Sequence, residues 1–426
     1  MNGKRSRPLH VAVVSGHPAQ TGGMEKFCRF LVRSLLETDW LVSAALSGHN
    51  IYDELETTSG GRLGIDRVEW LDHTFAGDRD YQWSRIADRR RWFRRVRPDV
   101  AVFVQSSNTP LRASIVGAAL AGVPIVTTHR TMPWPVEDVP AHRHFFGLLP
   151  GLHLHRRKVV FKTWLTAGMA RATVFNSHEV RANYERLYLY PPRKSIVIPN
   201  VVEPPAEAGP VQRASAPSDG CTIGYVGRIS REKRIEVLIH ALARMDTPRP
   251  VRLMLWGEGP EQPKLTALAD EVGVSERITW AGPTRDVWSA YRQCDVVTLC
   301  SPRESSSNMI LEAMAAGLAV VVTRVGGLPE LVDHGRLGIC VPPLEPHALA
   351  AALTGLVENE PLRRELGRRA RQAVLQRHDP RGIADQWRHL LRQAADRRWK
   401  VRGVTEAMSD NHTPISPAAD FGCASA

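Results

Sequence analysis

Short, β-branched apolar runs alternate along this chain with longer segments whose apolar residues recur every three or four positions. That alternation predicts buried parallel strands joined by helices. The clearest case lies between Asp295 and Glu330. Asp295–Cys300 and Leu318–Thr323 read as strands buried on both faces, and Met309–Ala316 between them is rich in helix formers and stops at Gly317. Each strand is followed by a polar loop that opens onto a helix. In a parallel sheet such loops gather at the carboxyl edge, where ligands bind.

The same rhythm extends in both directions. His10–Ser15 reads as a first strand, residues 15–23 as its loop, and the helix from Met24 carries Phe27, Phe30, Leu31, Ser34 and Leu35 at helical spacing. Asp99–Val104, Pro124–Thr128, Thr173–Asn176 and Ser195–Ile198 continue the strand series, with a helix from Ser177. The segment Arg85–Arg97 holds seven arginines, with Trp83, Ile86, Phe93 and Val96 as its buried stripe and the arginines as a solvated face. Residues 202–220, rich in proline, alanine and serine, read as a linker. Beyond it come the strands Thr222–Val226, Val251–Trp256 and Ile278–Trp280, then helix over Leu344–Gln376. A last helix within Arg381–Trp399 has Ile383, Trp387, Leu390 and Leu391 on one face. The predicted organisation is a domain over 1–201, the linker, a domain over 221–378, a terminal helix in 379–399 and a disordered tail over 400–426.

Length and composition sharpen this. A chain of 426 residues suits two cores, and 43% hydrophobic with 23% charged residues describes a globular protein. The six cysteines are scattered without metal-ligand spacing, which fits a reducing cytoplasm. The apolar run at Val11–Ser15 ends too soon for a signal peptide, and no stretch is long enough to span a membrane. The net charge of +12 points to an anionic partner. Nucleic acid is disfavoured because no aromatics interleave with the charge. Nucleotide phosphates or an anionic membrane face explain it better; His142–Ala170 mixes apolar residues with cations and reads either as an interfacial segment or as core helices with a basic loop.

The candidate chemistry sits in the loops. Ser305, Ser306, Ser307 and Asn308 are small residues that cap a helix while leaving backbone amides for a phosphate. Gly326 and Gly327 precede a second helix start at Leu328-Pro329-Glu330. Glu304 in the loop and Glu312 on the helix have no simple capping role. Gly227 allows close backbone approach, with Arg228 and Lys233 as two cations beside it. Gly22 and Gly23 form a further glycine loop, and His129 ends a strand at the ligand edge. Asp78-Arg79-Asp80 spells a metal-binding pattern, but no strand leads into it and it reads as chance.

These motifs resemble the family 4 retaining glycosyltransferases of group 1. The carrying residues are Glu304 and Glu312 with seven residues between them, the small turn Ala313–Gly317, the loop Gly326-Gly327-Leu328-Pro329-Glu330, and the run from Gly227 through Arg228 to Lys233. The resemblance implies an α/β fold of two facing Rossmann-like domains with parallel sheets, the GT-B fold, and a C-terminal helix crossing back to the first domain. It implies that the first domain holds the acceptor and the second the nucleotide-sugar donor. By it Glu304 holds donor-sugar hydroxyls, Glu312 the ribose, amides at Ser306, Ser307 and Asn308 the pyrophosphate, and Arg228 and Lys233 of the motif from Gly227 clamp that pyrophosphate. Gly22 and Gly23 would lie at the domain cleft and His129 beside the donor sugar. The implied reaction moves a sugar from a UDP- or GDP-linked donor to a lipid-linked (polyprenyl), glycan or small-molecule acceptor, with neither metal nor cofactor. Departures are Ser305-Ser306 for glycine and a bulky residue, Leu318-Ala319 for a residue and proline, Arg130 for an acid after His129, and Val201 for a glycine. A non-catalytic nucleotide-sugar-binding subunit, a nucleotide-sugar epimerase and a sugar phosphorylase of the same fold stand as alternatives.

Overall fold

The computed structural model describes residues 7–15, 22–46, 50–68, 86–105, 111–133, 152–205, 209, 220–396 and 399. It divides into two compact units, one running to Pro199 and resuming at Arg381, the other from Asn200 to Pro380. Asp78 and Asp80, Trp83, most of the expected linker 202–220 (residues 206–208 and 210–219) and the expected tail 400–426 lie outside the described residues.

The first unit is built on seven strands: β1 (His10–Ser15), β2 (Leu41–Leu46), β3 (Leu63–Arg67), β4 (Val100–Gln105), β5 (Ile125–His129), β6 (Ala172–Phe175) and β7 (Ser195–Val197). They pair in parallel in the order β3-β2-β1-β4-β5-β6-β7. Every residue of β4 and β5 is buried, as expected of a strand covered by helices on both faces. The helix Gly23–Leu36 buries Phe27, Phe30, Leu31, Ser34 and Leu35, the stripe its spacing predicts. The last helix, Pro380–Ala395, belongs to this unit. Its Trp387 is fully buried with its ring centroid 5.5 Å from that of Phe27, and Arg388 donates to the Ser34 carbonyl at 2.9 Å. Arg171 donates to the Ala394 carbonyl at 2.7 Å, satisfying a helix-end acceptor.

The arginine-rich helix, Ile86–Val96, corrects the sequence expectation. Its buried side chains are Ile86, Arg89, Trp92 and Phe93, so one arginine is on the inward face. Arg89 lies where the neighbouring helix has Gly117: a methyl on that glycine would come within 2.7 Å of the Arg89 Cβ. The absent side chain makes room for a long one. Trp92 donates its indole N–H to Asp66 at 2.9 Å, a partner on β3 that helical periodicity alone does not supply.

The second unit has six strands: β8 (Cys221–Val226), β9 (Val251–Trp256), β10 (Ile278–Gly282), β11 (Val296–Leu299), β12 (Ala319–Thr323) and β13 (Ile339–Val341). Their order is β10-β9-β8-β11-β12-β13, again parallel throughout. In place of one helix over Leu344–Gln376 there are two, Pro346–Glu358 and Glu360–Arg377. The break is Asn359, whose side chain caps the second helix by accepting from the Leu362 amide at 3.0 Å. Gly317, at φ +83°, ends the helix Asn308–Ala315 in the left-handed conformation that glycine adopts freely.

Strand order reverses at the β1/β4 pair in one sheet and at the β8/β11 pair in the other. At such a switch point the two following loops diverge to opposite faces of the sheet, leaving a crevice at the carboxyl edge. In the second unit those loops hold residues 227–233 and 301–307.

Candidate functional site

The β8/β11 register, Val296 beside Ile223 and Val297 beside Gly224, sets the two loops of the second unit side by side. From them Lys233 and Glu304 meet in an ion pair of 2.8 Å, both side chains largely shielded at 22% and 17% exposure. The second predicted cation, Arg228, is exposed and paired at 2.7 Å with Glu232, four residues later. The Tyr225 hydroxyl donates to the Arg228 carbonyl at 2.8 Å, fixing the backbone from which that guanidinium springs.

Close packing around Gly227 accounts for the glycines of the next loop. The loop after β9 packs onto Gly227 backbone to backbone: a methyl on Gly257 would lie 1.9 Å from the Gly227 carbonyl oxygen, and one on Gly259 only 2.1 Å from that of Ile229. The Gly227 amide donates to the Trp256 carbonyl and the Ile229 amide to that of Glu258, at 2.8 and 2.9 Å. Glycines at 257 and 259 therefore let the loop after β9 pack against the backbone of Gly227 and Ile229. Their turn is evident in the sequence; their contacts with Gly227 and Ile229 are not.

Ser307 is the N-cap of the helix Asn308–Ala315, its hydroxyl accepting from the Ile310 amide at 3.3 Å. Ser305 and Ser307 are buried, while Ser306 and Asn308 are partly exposed. The Asn308 side-chain carbonyl accepts from Asn200 at 2.9 Å, and the Asn200 main-chain carbonyl lies 2.6 Å from His378 Nδ1. Asn200 thus ties the entry of the unit to its helix start. The Gly327 amide donates to the Glu304 carbonyl at 3.3 Å, so the glycine-pair loop steadies the loop that carries the acid.

Glu312 lies one turn into that helix and accepts from the Tyr291 hydroxyl at 3.0 Å. The phenol also lies 3.2 Å from the Met309 carbonyl, so two acceptors share one proton. Burial, and then Glu312, push the Tyr291 pKa well up, keeping it a donor. No spacing rule signals Tyr291 as a partner of Glu312, because the contact crosses between a short helix, Val287–Arg292, and the neighbouring one.

In the first unit Gly22 is the N-cap residue and Gly23 the first residue of its helix, both exposed. The preceding loop, 16–21, lies outside the described residues. His129 ends β5 beside Gln105 of β4 and is buried against Phe175, Tyr184 and Tyr190. Its Nε2 lies 2.8 Å from the Tyr190 hydroxyl and 3.4 Å from Gln105 Nε2. Gln105 uses its carbonyl oxygen for the Leu111 amide, so its N–H₂ faces the ring. Both neighbours donate, which makes Nε2 an acceptor and puts the ring proton on Nδ1. The adjacent Arg130 is also buried, donating to the Ile198 carbonyl at 3.1 Å with its guanidinium 3.8 Å above the Phe27 ring.

Burial, with a smaller push from Arg112, brings the His129 pKa down to about 3. Its ordinary value is near 6.5, so below that pH the unfolded chain takes up a proton the fold refuses until about pH 3. The stabilising contribution is complete above pH 6.5 and is lost as pH falls toward 3. Urea melts at about pH 7.5 and about pH 4.5 should show wild type losing on the order of 2 kcal/mol more than His129→Asn. Equal losses would mean the ring titrates normally.

Among the described residues no three His, Cys, Asp or Glu side chains gather as metal ligands, and no helix is long and apolar enough to cross a membrane. The described cysteines, at 28, 221, 294, 300 and 340, stand as thiols, none of them in a disulfide.

Two family models match, each in one half of the chain: "Glycosyltransferase Family 4" over residues 21–204 and "Glycosyl transferases group 1" over 220–359. Among curated relatives, the N-acetyl-alpha-D-glucosaminyl L-malate synthase of Bacillus anthracis is 29% identical over 163 residues, 38% of this chain and 43% of that protein. The D-inositol 3-phosphate glycosyltransferase of Corynebacterium glutamicum is 36% identical over 155 residues, 34% of this chain and 37% of its own. These matches span less than half of the relatives' length. Among solved structures, Anabaena Alr3699/HepE in complex with UDP superposes with a TM-score of 0.69 at 18% identity, covering 90% of this chain and 99% of that one. The sucrose-phosphate synthase of Thermosynechococcus elongatus gives 0.69 at 21%, covering 90% and 98%. At such identities the likeness is one of fold, that of two parallel-sheet α/β domains in the GT-B class.

Proposed function

Because the chain belongs to the family 4, group 1 glycosyltransferases, we propose that it transfers a sugar, with retention, from a nucleoside diphosphate to an acceptor hydroxyl. The observation that carries this reading is the convergence of Lys233, Glu304 and the capped helix start at Ser307 on one switch point. There a cation and helix-start amides offer themselves to a diphosphate, and an acid stands beside them for hydroxyls.

In this reading residues 221–378 bind the donor and residues 1–201 the acceptor. Glu312, held by Tyr291, accepts from the ribose hydroxyls, and Glu304 from those of the sugar. As the bond from the anomeric carbon to the diphosphate oxygen breaks, negative charge grows on the leaving group. Lys233, Arg228 and the amides of Ser306, Ser307 and Asn308 meet that charge, the interaction most worth strengthening in the transition state. The acceptor oxygen bonds the same carbon on the same face and its proton passes to the leaving phosphate oxygen. His129, neutral and protonated on Nδ1, contributes a donor rather than a general base.

The UDP bound to the Anabaena protein favours uridine donors for the first trial, with GDP-linked sugars second. The malate and inositol phosphate in the relatives' names, both anions, favour small anionic acceptors before glycans or polyprenyl-linked sugars. Thermal stabilisation across a nucleotide-sugar panel should identify the donor, since ligands that bind the native state raise the melting temperature. Purified protein should then release the nucleoside diphosphate when acceptor is added, and continue to do so in EDTA, because protein cations bear the charge. Binding without turnover over every acceptor class would point to a binding subunit. Loss of turnover in chelator, restored by magnesium, would bring Asp78 and Asp80 back as ligands.

A further inference from the structure

We propose that the helix Leu152–Met169 of the first unit docks the protein on an anionic lipid surface through a stripe of Phe161, Trp164 and Leu165. Their exposures are 58%, 45% and 40%. Of the eight large apolar side chains exposed among the described residues, these three share one helix face and the other five stand elsewhere in the fold. Single exposed apolar residues are ordinary; a contiguous set is not.

Helical geometry makes the stripe continuous. Arg157, Phe161, Trp164, Leu165 and Gly168 follow one another at intervals of three or four residues or stand side by side, which places them on one side of the helix, and all of them are exposed. The Phe161 and Trp164 rings lie 5.9 Å apart, forming one apolar surface. Thr163, Thr166 and Ala167 are buried on the other side, and Thr163 accepts from Arg112 at 2.8 Å. The helix is thus already seated on its own unit and still presents aromatic side chains outward.

Charge selects the occupant. The stripe has exposed Arg157 at its amino end, and at its carboxyl end Lys194 donates to the Gly168 and Ala170 carbonyls at 2.6 and 2.8 Å, with exposed Arg193 beside it. Over residues 139–178 the chain has six Lys and Arg residues and no Asp or Glu. Aromatic residues between cations suit an interface of acyl chains and negative headgroups. A two-fold pairing with a second copy would set these cations against apolar side chains or each other, with no acid on either helix to receive them. The stripe lies within the segment His142–Ala170 that the sequence marks, and centres on residues 161–165; the side chains of 142–156 and 158 lie outside the described set.

The full-length protein should cosediment with phosphatidylcholine vesicles containing phosphatidylglycerol at low salt, release at high salt, and ignore pure phosphatidylcholine. The double variant Phe161→Ser/Trp164→Ser should bind those vesicles about tenfold more weakly with an unchanged melting temperature, since both residues are exposed. Arg157→Gln should weaken binding and its salt dependence together. The idea is overturned if wild type binds neither vesicle, binds both equally, or is matched by the double variant. It is also overturned if the protein dimerises and Trp164→Glu makes it a monomer, which would assign the stripe to a second copy.

Discussion

Lys233→Ala should lower turnover about 10²- to 10³-fold, on the order of 3 to 4 kcal/mol of transition-state stabilisation, as for removal of one oxyanion-hole donor. The magnitude follows from where this cation sits. Its ion pair with Glu304 is shielded from water and held at 2.8 Å, so its charge is already oriented before a diphosphate arrives. Arg228 is exposed and tied to Glu232, so Arg228→Ala should cost less, about 2 kcal/mol or below. The loss with Lys233→Ala should appear in kcat rather than in nucleotide affinity alone, and Lys233→Arg should recover part of it. Because Lys233→Ala leaves the shielded Glu304 without its cation, the melting temperature should fall modestly, and kcat is compared well below both transitions. Full turnover in Lys233→Ala would remove the clamp from the reading. The double variant Lys233→Ala/Glu304→Ala completes a cycle in which strong coupling is expected, because the residues touch.

What was legible in the sequence, and what was not, follows the range of the interactions. Strand positions such as β1 and β9 follow from local runs of apolar residues, because a strand buried on both faces leaves that trace in a handful of positions. The parallel order of the sheets follows from the alternation of strands and helices. The shielded Arg89 was not legible: its burial depends on Gly117 of a neighbouring helix, and nothing in a run of seven arginines marks which one turns inward. The helix break at Asn359 carries a local capping signal and could have been found. At the candidate site, the acids and cations stand out because of the loop motifs in which they sit. Their supports do not. Tyr291 against Glu312, Asn200 beside Asn308, Gly257 against Gly227 and Gly259 against Ile229 are linked through space, and periodicity is blind to such links.

Glu312→Ala should weaken binding of the nucleoside diphosphate about 10- to 100-fold, the loss of one or two hydrogen bonds to a charged acceptor, whereas Glu304→Ala should leave that affinity within a few-fold and lower turnover. The contrast rests on their surroundings. Glu312 projects from a helix, steadied by the Tyr291 hydroxyl, which leaves it as a fixed acceptor for a diol. Glu304 projects from a loop and shares its charge with Lys233, so its removal also releases that lysine for phosphate, offsetting lost contacts in the ground state. Tyr291→Phe gives an intermediate case: the acid remains and its orientation is lost, so affinity should fall less than with Glu312→Ala. Comparing the diphosphate with its 2′-deoxy form isolates the ribose contact. Wild type should discriminate, Glu312→Ala should not, and Tyr291→Phe should discriminate weakly. Calorimetric titration of the diphosphate alone decides between assignments, because the sugar is absent from it. Equal affinity in wild type and Glu312→Ala would sink the ribose assignment. A loss of diphosphate affinity in Glu304→Ala as large as that in Glu312→Ala would move Glu304 from the sugar to the nucleotide.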